Sequence, residues 1–431
     1  MCGNLVAHVV AVLALTGFLS RPGVAQQSKL IELNHADVMK GMVINGENAR
    51  EFTGKVHFTQ IAENGDRVYL WCDRALQFLA ANRVELFGNV KIVRDTTTIT
   101  SDQGKYFGND RRAEVSSHVR LVRGVSVLTS QNGQYYIDSK QSHFSGDVHL
   151  LDTTSSISCN DLTYFEADAK SIATGNVRVV NLSNSATILG DSLVHYDSTK
   201  YSIVPKNPRL IQIDTSSSGV IDTLVVVSNV MESYQDSTDR FVAIDSVEMA
   251  RGELSARSGR TTYYVGKDLI ILQQHPIVWQ AMNQIMGDSI DVRLQNKRLR
   301  SVHVSGHAVA ISRSDSVYRN RYDQLTGREL TMYFARDELD SVFVNNNATS
   351  LYYLYDRDKP DGANKSSGDH ITINFVDGKI DRIKIVGGVE GQYFPEKMLL
   401  NRESEYNLDG FKWYTVRPRR KGFTILNRLY D

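Results

Sequence analysis

Apolar and polar residues alternate in short stretches along this chain, and the same stretch returns at nearly fixed spacing. Val56/Phe58, Val90/Ile92, Val119/Leu121, Val148/Leu150 and Val177/Val179 are apolar pairs split by one residue, which is basic or imidazole each time: His57, Lys91, Arg120, His149 and Arg178. A period of two predicts β-strands with one buried face and one solvated face. Slipping the register by one residue would bury all five polar side chains, so the register is firmly specified.

Each apolar pair sits in a recurring phrase. It reads Gly88-Asn89-Val90-Lys91-Ile92-Val93, then Ser117-His118-Val119, Gly146-Asp147-Val148 and Gly175-Asn176-Val177, at intervals of 29 residues. An earlier copy begins at Gly54, and a looser one runs from Ser305 to Ile311. A period of this length marks a stacked array in which function resides in a surface shared by many repeats. A second strand follows each phrase, as in Ile99 to Phe107, and carries an aromatic four residues after the Asp102 position: Tyr106, Tyr135 and Tyr164. Polar tips at Asn109-Asp110, Asp138-Ser139, Ala167-Asp168, Ser198-Thr199, Asn296-Lys297, Arg336-Asp337 and Asp377-Gly378 predict antiparallel hairpins.

The spacing loosens from Lys206 to His275, where Asp214 to Gly219 reads as a loop. It recovers at Ile285 to Ile290, Leu325 to Tyr333 and Ile371 to Gly378. Asp358 to Asp369, with Pro360, Gly362 and Gly368, reads as a second polar loop. The expected organisation is one long array without an independent boundary. It has a regular part over 26–205, a continuation with longer insertions over 206–395, and a basic tail over 396–431 around Arg417-Pro418-Arg419-Arg420-Lys421.

Composition narrows the function. With 49 basic and 49 acidic side chains among 431 residues, nothing in the charge favours nucleic acid. The apolar run Leu5 to Leu19, followed by small residues up to Ala25, predicts a cleaved secretory signal over 1–25, although no Lys or Arg precedes it. The mature chain is therefore expected to be soluble outside the cytoplasm. Cys72, Ser101, Ser130 and Cys159 share one repeat position, which places the two mature cysteines three repeats apart, ~14 Å or more at one strand spacing per repeat. A disulfide needs Cα atoms within ~7 Å, so two free thiols are expected.

Catalytic and metal-binding patterns fare poorly. His303 and His307 have a spacing that suits a metal on a helix, but in a strand residues four apart lie ~13 Å apart. Asp73, Asp102, Asp191 and Asp288 recur once per repeat, which fits turn or edge hydrogen bonding better than an acid/base pair. Nucleophile elbow, Walker loop and Cys-x-x-Cys are all missing from the sequence. No catalytic residue, metal or cofactor is expected.

The Gly-Asn-Val strand, the Gly/Ser-Asp strand leading to Tyr, and the polar turn between them resemble the OstA/LptA family of lipopolysaccharide transport proteins, and the soluble N-terminal domain of LptD. The resemblance is clearest over 46–205 and looser over 285–395. It implies an all-β, elongated repeat-built β-jellyroll whose apolar interior shields acyl chains in the periplasm. The trough-lining candidates are then Val56, Phe58, Val90, Ile92, Val119, Leu121, Val148, Leu150, Val177 and Val179. The implied partners are lipopolysaccharide or a related lipid, and inner-membrane-anchored and outer-membrane transport proteins joined by β-strand addition, with head-to-tail self-association a further possibility. The chain is longer than a minimal LptA, and the membrane strands of LptD do not follow within its 431 residues.

The residues alone leave three alternatives open: the apolar columns fill a closed core, the protein is a structural envelope scaffold, or the repeats form a parallel β-helix that acts on or adheres to polysaccharide. The basic column faces away from the apolar pairs, so it is expected to be a solvated outer face, not a headgroup site.

Overall fold

The computed structural model describes residues 30–419 apart from 63–64, 154, 183–185, 197, 216–220, 235, 296–297, 315–317, 336–337, 357–358 and 378. The expected signal at 1–25 lies outside the described residues, as do the Asn296-Lys297 and Arg336-Asp337 tips, Gly378, most of the Asp214–Gly219 loop, and residues 420–431. Twenty-eight strands are described, with only a four-residue α-helix and two short 3-10 turns beside them. The strand registers described are antiparallel, between sequence neighbours and between second neighbours alike. A parallel β-helix is thereby excluded.

Two compact units are present, one from the start to Pro208 with 232–237, the other comprising Arg209–Met231 and everything from Thr238. The sequence showed no such division. Its boundary falls where the 29-residue spacing breaks down.

In the first unit the strands from Arg67–Phe78 to Ala186–Tyr196 are 11 or 12 residues long and pair in succession through tight turns. The Gly-Asn-Val phrase is a corner in the strand. Gly88 and Asn89 both have left-handed φ values of 71° and 46°. Pairing jumps from Phe87↔Gln103 to Val90↔Ser101, so these two residues oppose Asp102 alone, as in a β-bulge. Each strand therefore bends in its middle and contributes to two walls. Segments such as 90–94 and 97–101 build a valine wall, while 83–87 and 103–107 build a tyrosine wall. The walls face each other: Phe52 meets Phe58 edge-on at 5.6 Å, and a Cβ on Gly104 would lie 3.2 Å from Val90 Cγ1.

The recurring acidic residues hold these corners. Asn89 donates to Asp73 at 2.8 Å, His118 pairs with Asp102 at 2.6 Å and Asn207 donates to Asp191 at 2.8 Å. The same clasp returns in the second unit between Asn229 and Asp245 at 2.6 Å and between His307 and Asp288 at 3.0 Å. Hydrogen bonding, as expected, accounts for their spacing.

In the second unit the corners recur at Asp245-Ser246, Gly306-His307 and Asn346-Asn347. Leu272, Ile290, Val304, Leu330, Val344 and Ile371 form its buried core. Two expectations fail here. Asp358 to Asp369 is mostly strand, within Lys359–Val376, paired with Glu338–Asp356 on both sides of its corner. Its glycines reflect close approach, since a Cβ on Gly362 would lie 2.3 Å from Phe394 O and one on Gly368 2.7 Å from Ile385. Asp214 and Thr215 also belong to a strand, Arg209–Thr215, paired with Ile221–Val227.

The third correction concerns the tail, which packs as a strap as far as it is described. A short helix Glu396–Leu399 and a 3-10 turn Glu403–Tyr406 follow the last strand. Leu399 and Leu408 are buried against Leu351, Tyr353, Ala363 and Phe394. Farther on, Phe411 and Trp413 pack on Tyr322, and Arg417 donates to Ala281 O. Basic composition concealed the apolar residues that dock it.

Candidate functional site: the apolar interior and its polar mouth

All ten trough-lining candidates lie on the inner face of the valine wall, none more than 7% exposed. The alternation that placed them repeats residue for residue in the burial of the strands Arg83–Arg94 and Arg112–Arg123, and nearly so in Gln141–Leu151. The columns opposite them on the tyrosine wall are Ala75, Leu86, Gly104, Val115, Gly133, Phe144, Leu162, Ala173 and Leu193, in register across successive strands. Small residues are interspersed among large ones there, so the two walls interdigitate. In the conformation described, the space between the columns is occupied by side chains.

The basic column points outward. Lys91, Arg120, His149 and Arg178 are exposed, while His57 is half-buried because it stacks on Trp71 at 4.7 Å with Lys91 over the same indole. A hollow of about 350 Å³ also lies on the outside, lined on its exposed side by Glu85, Gln103, Lys105, Glu114 and Gln134. Its lining also includes Leu86, Gly104, Val115 and Gly133 of the inward column.

A feature that the sequence reading missed lies at the third inward position of many of the strands, where the walls end. On the valine wall this column holds Gln60, Arg94, Ser126, Asp152, Ser155 and Asn181; on the tyrosine wall it holds Tyr106, Tyr135, Tyr164 and His195. Nearly all are buried. Buried Val68, Val84, Ala113 and Ala186 share these columns, so the interior is apolar behind and mixed at the mouth. Bonds cross the mouth from wall to wall. Gln60 donates to Gly108 O at 2.9 Å and accepts from Tyr106 OH, and Arg94 donates to Tyr135 OH at 2.8 Å. Burial pushes the Tyr106 and Tyr135 hydroxyls up, so both remain protonated donors or acceptors at neutral pH. The signal was present in the alternation, since Val90, Ile92 and Arg94 continue one face.

Three ion pairs strengthen the seam. Asp66, in the turn between the strands Glu47–Ile61 and Arg67–Phe78, meets Arg94 at 3.2 Å and Arg111 at 2.7 Å. Arg111 belongs to a turn of the opposite wall, and it also meets Asp138 at 2.9 Å. The Arg111 side chain is 6% exposed.

The other candidates resolve into structure. Cys72 and Cys159 are free and buried, and burial pushes each thiol up to about 12, which leaves it unreactive. His303 bonds Thr331 and His307 bonds Asp288, so each imidazole has its own partner. Among the described residues no helix is long and apolar enough to cross a membrane.

Comparison with known proteins agrees with this geometry. The model of the OstA-like protein family matches residues 28–181, and that of the LptA/(LptD N-terminal domain) LPS transport protein matches residues 127–298. No curated protein matches the chain. Among solved structures, LptH of Pseudomonas aeruginosa, described as the LptA-homologous periplasmic component of the lipopolysaccharide transport device, aligns with 33% of this chain and 95% of its own. That alignment has 10% identity and a TM-score of 0.26. Two overlapping family models, on an antiparallel array whose corner recurs from Gly54 to Asn347, show that residues 28–298 resemble the OstA/LptA-like family of lipopolysaccharide transport proteins.

Proposed function

We propose that this protein is a non-enzymatic periplasmic carrier or bridge that moves lipopolysaccharide toward the outer membrane, with the acyl chains shielded between the valine and tyrosine walls. The observation that carries the reading is the apolar band from Val56 to Val179, interrupted in its corner row by buried Ser101 and Ser130 and backed by Leu86, Val115, Phe144 and Leu162 on the facing wall. Burial contributes ~0.8 kcal/mol per methylene, so one long acyl chain left bare in water costs on the order of 10 kcal/mol. An apolar band spanning many repeats removes that barrier at every step of transfer. Because side chains occupy the band in the closed form, loading requires the walls to part.

Partners follow from the termini of the array. The strands Glu32–His35 and Val38–Ile44 expose Leu33, Val38, Met39 and Val43, and the strand Lys379–Val386 exposes Ile383 and Val386. Such edges suit strand addition by an inner-membrane-anchored protein at one and an outer-membrane protein at the other, or by a second copy of the chain. A structural scaffold is the second reading, favoured by the closed packing of all ten columns.

Site-specific photo-crosslinking separates the two. Probes replacing Val148 and Val177, with Lys91 and Arg120 as outward controls, are placed in the full-length protein in envelope-containing cells. Lipopolysaccharide adducts from the valine positions alone are the expected result. Folded, exported protein without adducts at any position supports the scaffold.

A further inference from the structure

Asp66, Arg94 and Arg111 do more than stabilise a turn, because they join the two walls at the mouth through which any ligand must reach the apolar band. Two guanidinium groups from opposite walls converge on one carboxylate, at 3.2 and 2.7 Å. The carboxylate is 14% exposed, so the site can be reached from solvent. The donors around it are not all matched. Besides Asp66, Arg94 meets Asp95 at 3.7 Å and Arg111 meets Asp138 at 2.9 Å, both carboxylates exposed, yet Arg111 Nε is buried without a hydrogen-bond partner. A phosphate monoester carries about −1.5 to −2 at neutral pH and three acceptor oxygens, and it matches a guanidinium fork in two-point geometry. It offers one more acceptor oxygen than Asp66, enough for the unpartnered Arg111 Nε.

We propose that these residues form a latch that a phosphorylated headgroup opens by exchange. In the closed form Asp66 holds the tips of both walls. A phosphate then takes the place of Asp66 between Arg94 and Arg111, the wall tips separate, and acyl chains of the same molecule enter beneath. The polar mouth thereby reads the head of an amphiphile while the band behind it takes the tail. This rests on the transport reading given above and adds to it the chemical group that triggers loading.

The test compares lipopolysaccharide with the same material after enzymatic removal of its phosphates, both presented to the full-length protein, with loading read by crosslinking from Val148. Wild type is expected to load the phosphorylated form roughly tenfold better, equivalent to about 1.4 kcal/mol. The double variant Arg94→Gln/Arg111→Gln, which lacks both the clasp and the phosphate site, is expected to load the two forms equally. Asp66→Asn, which leaves both arginines in place, is expected to load faster than wild type, and it guards against a double variant that fails to fold. Arg120→Gln on the outer face should change nothing. Equal loading of the two forms by wild type, or a phosphate preference that survives the double variant, would overturn the latch while leaving the carrier reading intact. If wild type loads neither form, the carrier reading fails first. Inorganic phosphate alone, at millimolar concentration, is expected to leave amide exchange at 108–111 unchanged. If it accelerates exchange as the lipid does, the site answers to free phosphate and the headgroup assignment is wrong.

Discussion

The two compact units build the same kind of corner, but at Gly306-His307 the second uses the outside of the wall beyond it in the opposite way. In the first unit the position after the corner valine is Lys91, Arg120, His149 or Arg178, and water covers it. In the second, the same position beyond Gly306-His307 is Val309, followed two residues later by Ile311, and both are buried. What covers them is the strap. Gln284, Ile311, Gln324 and Leu351 stand in one row across adjacent strands. The two glutamines each exchange two hydrogen bonds with the strap: Gln284 with Lys412 O and Tyr414 N, Gln324 with Asn407 Oδ1 and Leu408 N. A repeat is easy to read where its outside is wet, because solvent demands a polar residue at each alternate place. Once another segment covers that face, the constraint lapses and the repeat fades from the sequence.

The largest effect should come from removing the strap. Ending the chain at Pro395 exposes Val309, Ile311, Leu351 and Tyr353 and deletes buried Leu399 and Leu408. Each such leucine is worth ~2–5 kcal/mol when truncated to alanine, so the second unit should lose more than about 5 kcal/mol. Hydrogen exchange should show lost protection at 309–311 and 351–353 with 90–92 and 119–121 unaffected. Retained protection at 309–311 would mean that the wall does not depend on its cover.

Next in size is a titration inside the second unit. Burial pushes the Asp323 carboxyl up from 3.8 to about 7, partly offset by the Tyr353 N–H that it accepts at 2.9 Å. A folded-state value above the unfolded one favours the neutral acid in the fold. Its contribution to stability is therefore greatest below about pH 4 and is lost as pH rises toward 7. Asp323→Asn keeps the acceptor and removes the charge. It should stabilise the protein at pH 8 by about 2–4 kcal/mol and flatten the melting profile between pH 4 and 7. An unchanged profile would show that the carboxylate is solvated after all.

The smallest effect tests whether corners are equivalent. A Cβ on Gly88, at φ 71°, would lie 2.6 Å from Asp73 Oδ2, so Gly88→Ala should cost about 1–2 kcal/mol. Ser117 holds the same corner place at φ 62° with a side chain, so Ser117→Gly should gain about 0.5–1 kcal/mol. Urea unfolding would register the opposite signs. Equal signs would mean that the two corners carry different strain.

Much of the first unit was legible because its periodicities are local. Alternation placed the ten inward residues and the outward basic column, and the 29-residue interval set the strand lengths and clasps. Arg94 was legible as a continuation of the inner face, yet its partners were not, because Asp66 and Arg111 approach it from separate turns. In the second unit, Asp358 to Asp369 read as a loop because glycine, proline and serine are turn formers in isolation. There the glycines answer to a neighbouring strand. The strap was misread for the same reason, since net charge describes a segment and not the few apolar side chains that dock it.

By itself, then, the sequence determined strand, register and corner, because each depends on residues within one repeat and on which side of a strand must stay out of water. Tertiary structure decided how the walls close. The polar mouth, the Asp66 latch and the strap-covered face of the second unit join residues about 28 to 130 positions apart. Such pairings depend on which surfaces meet after the strands have formed, and no local period records them.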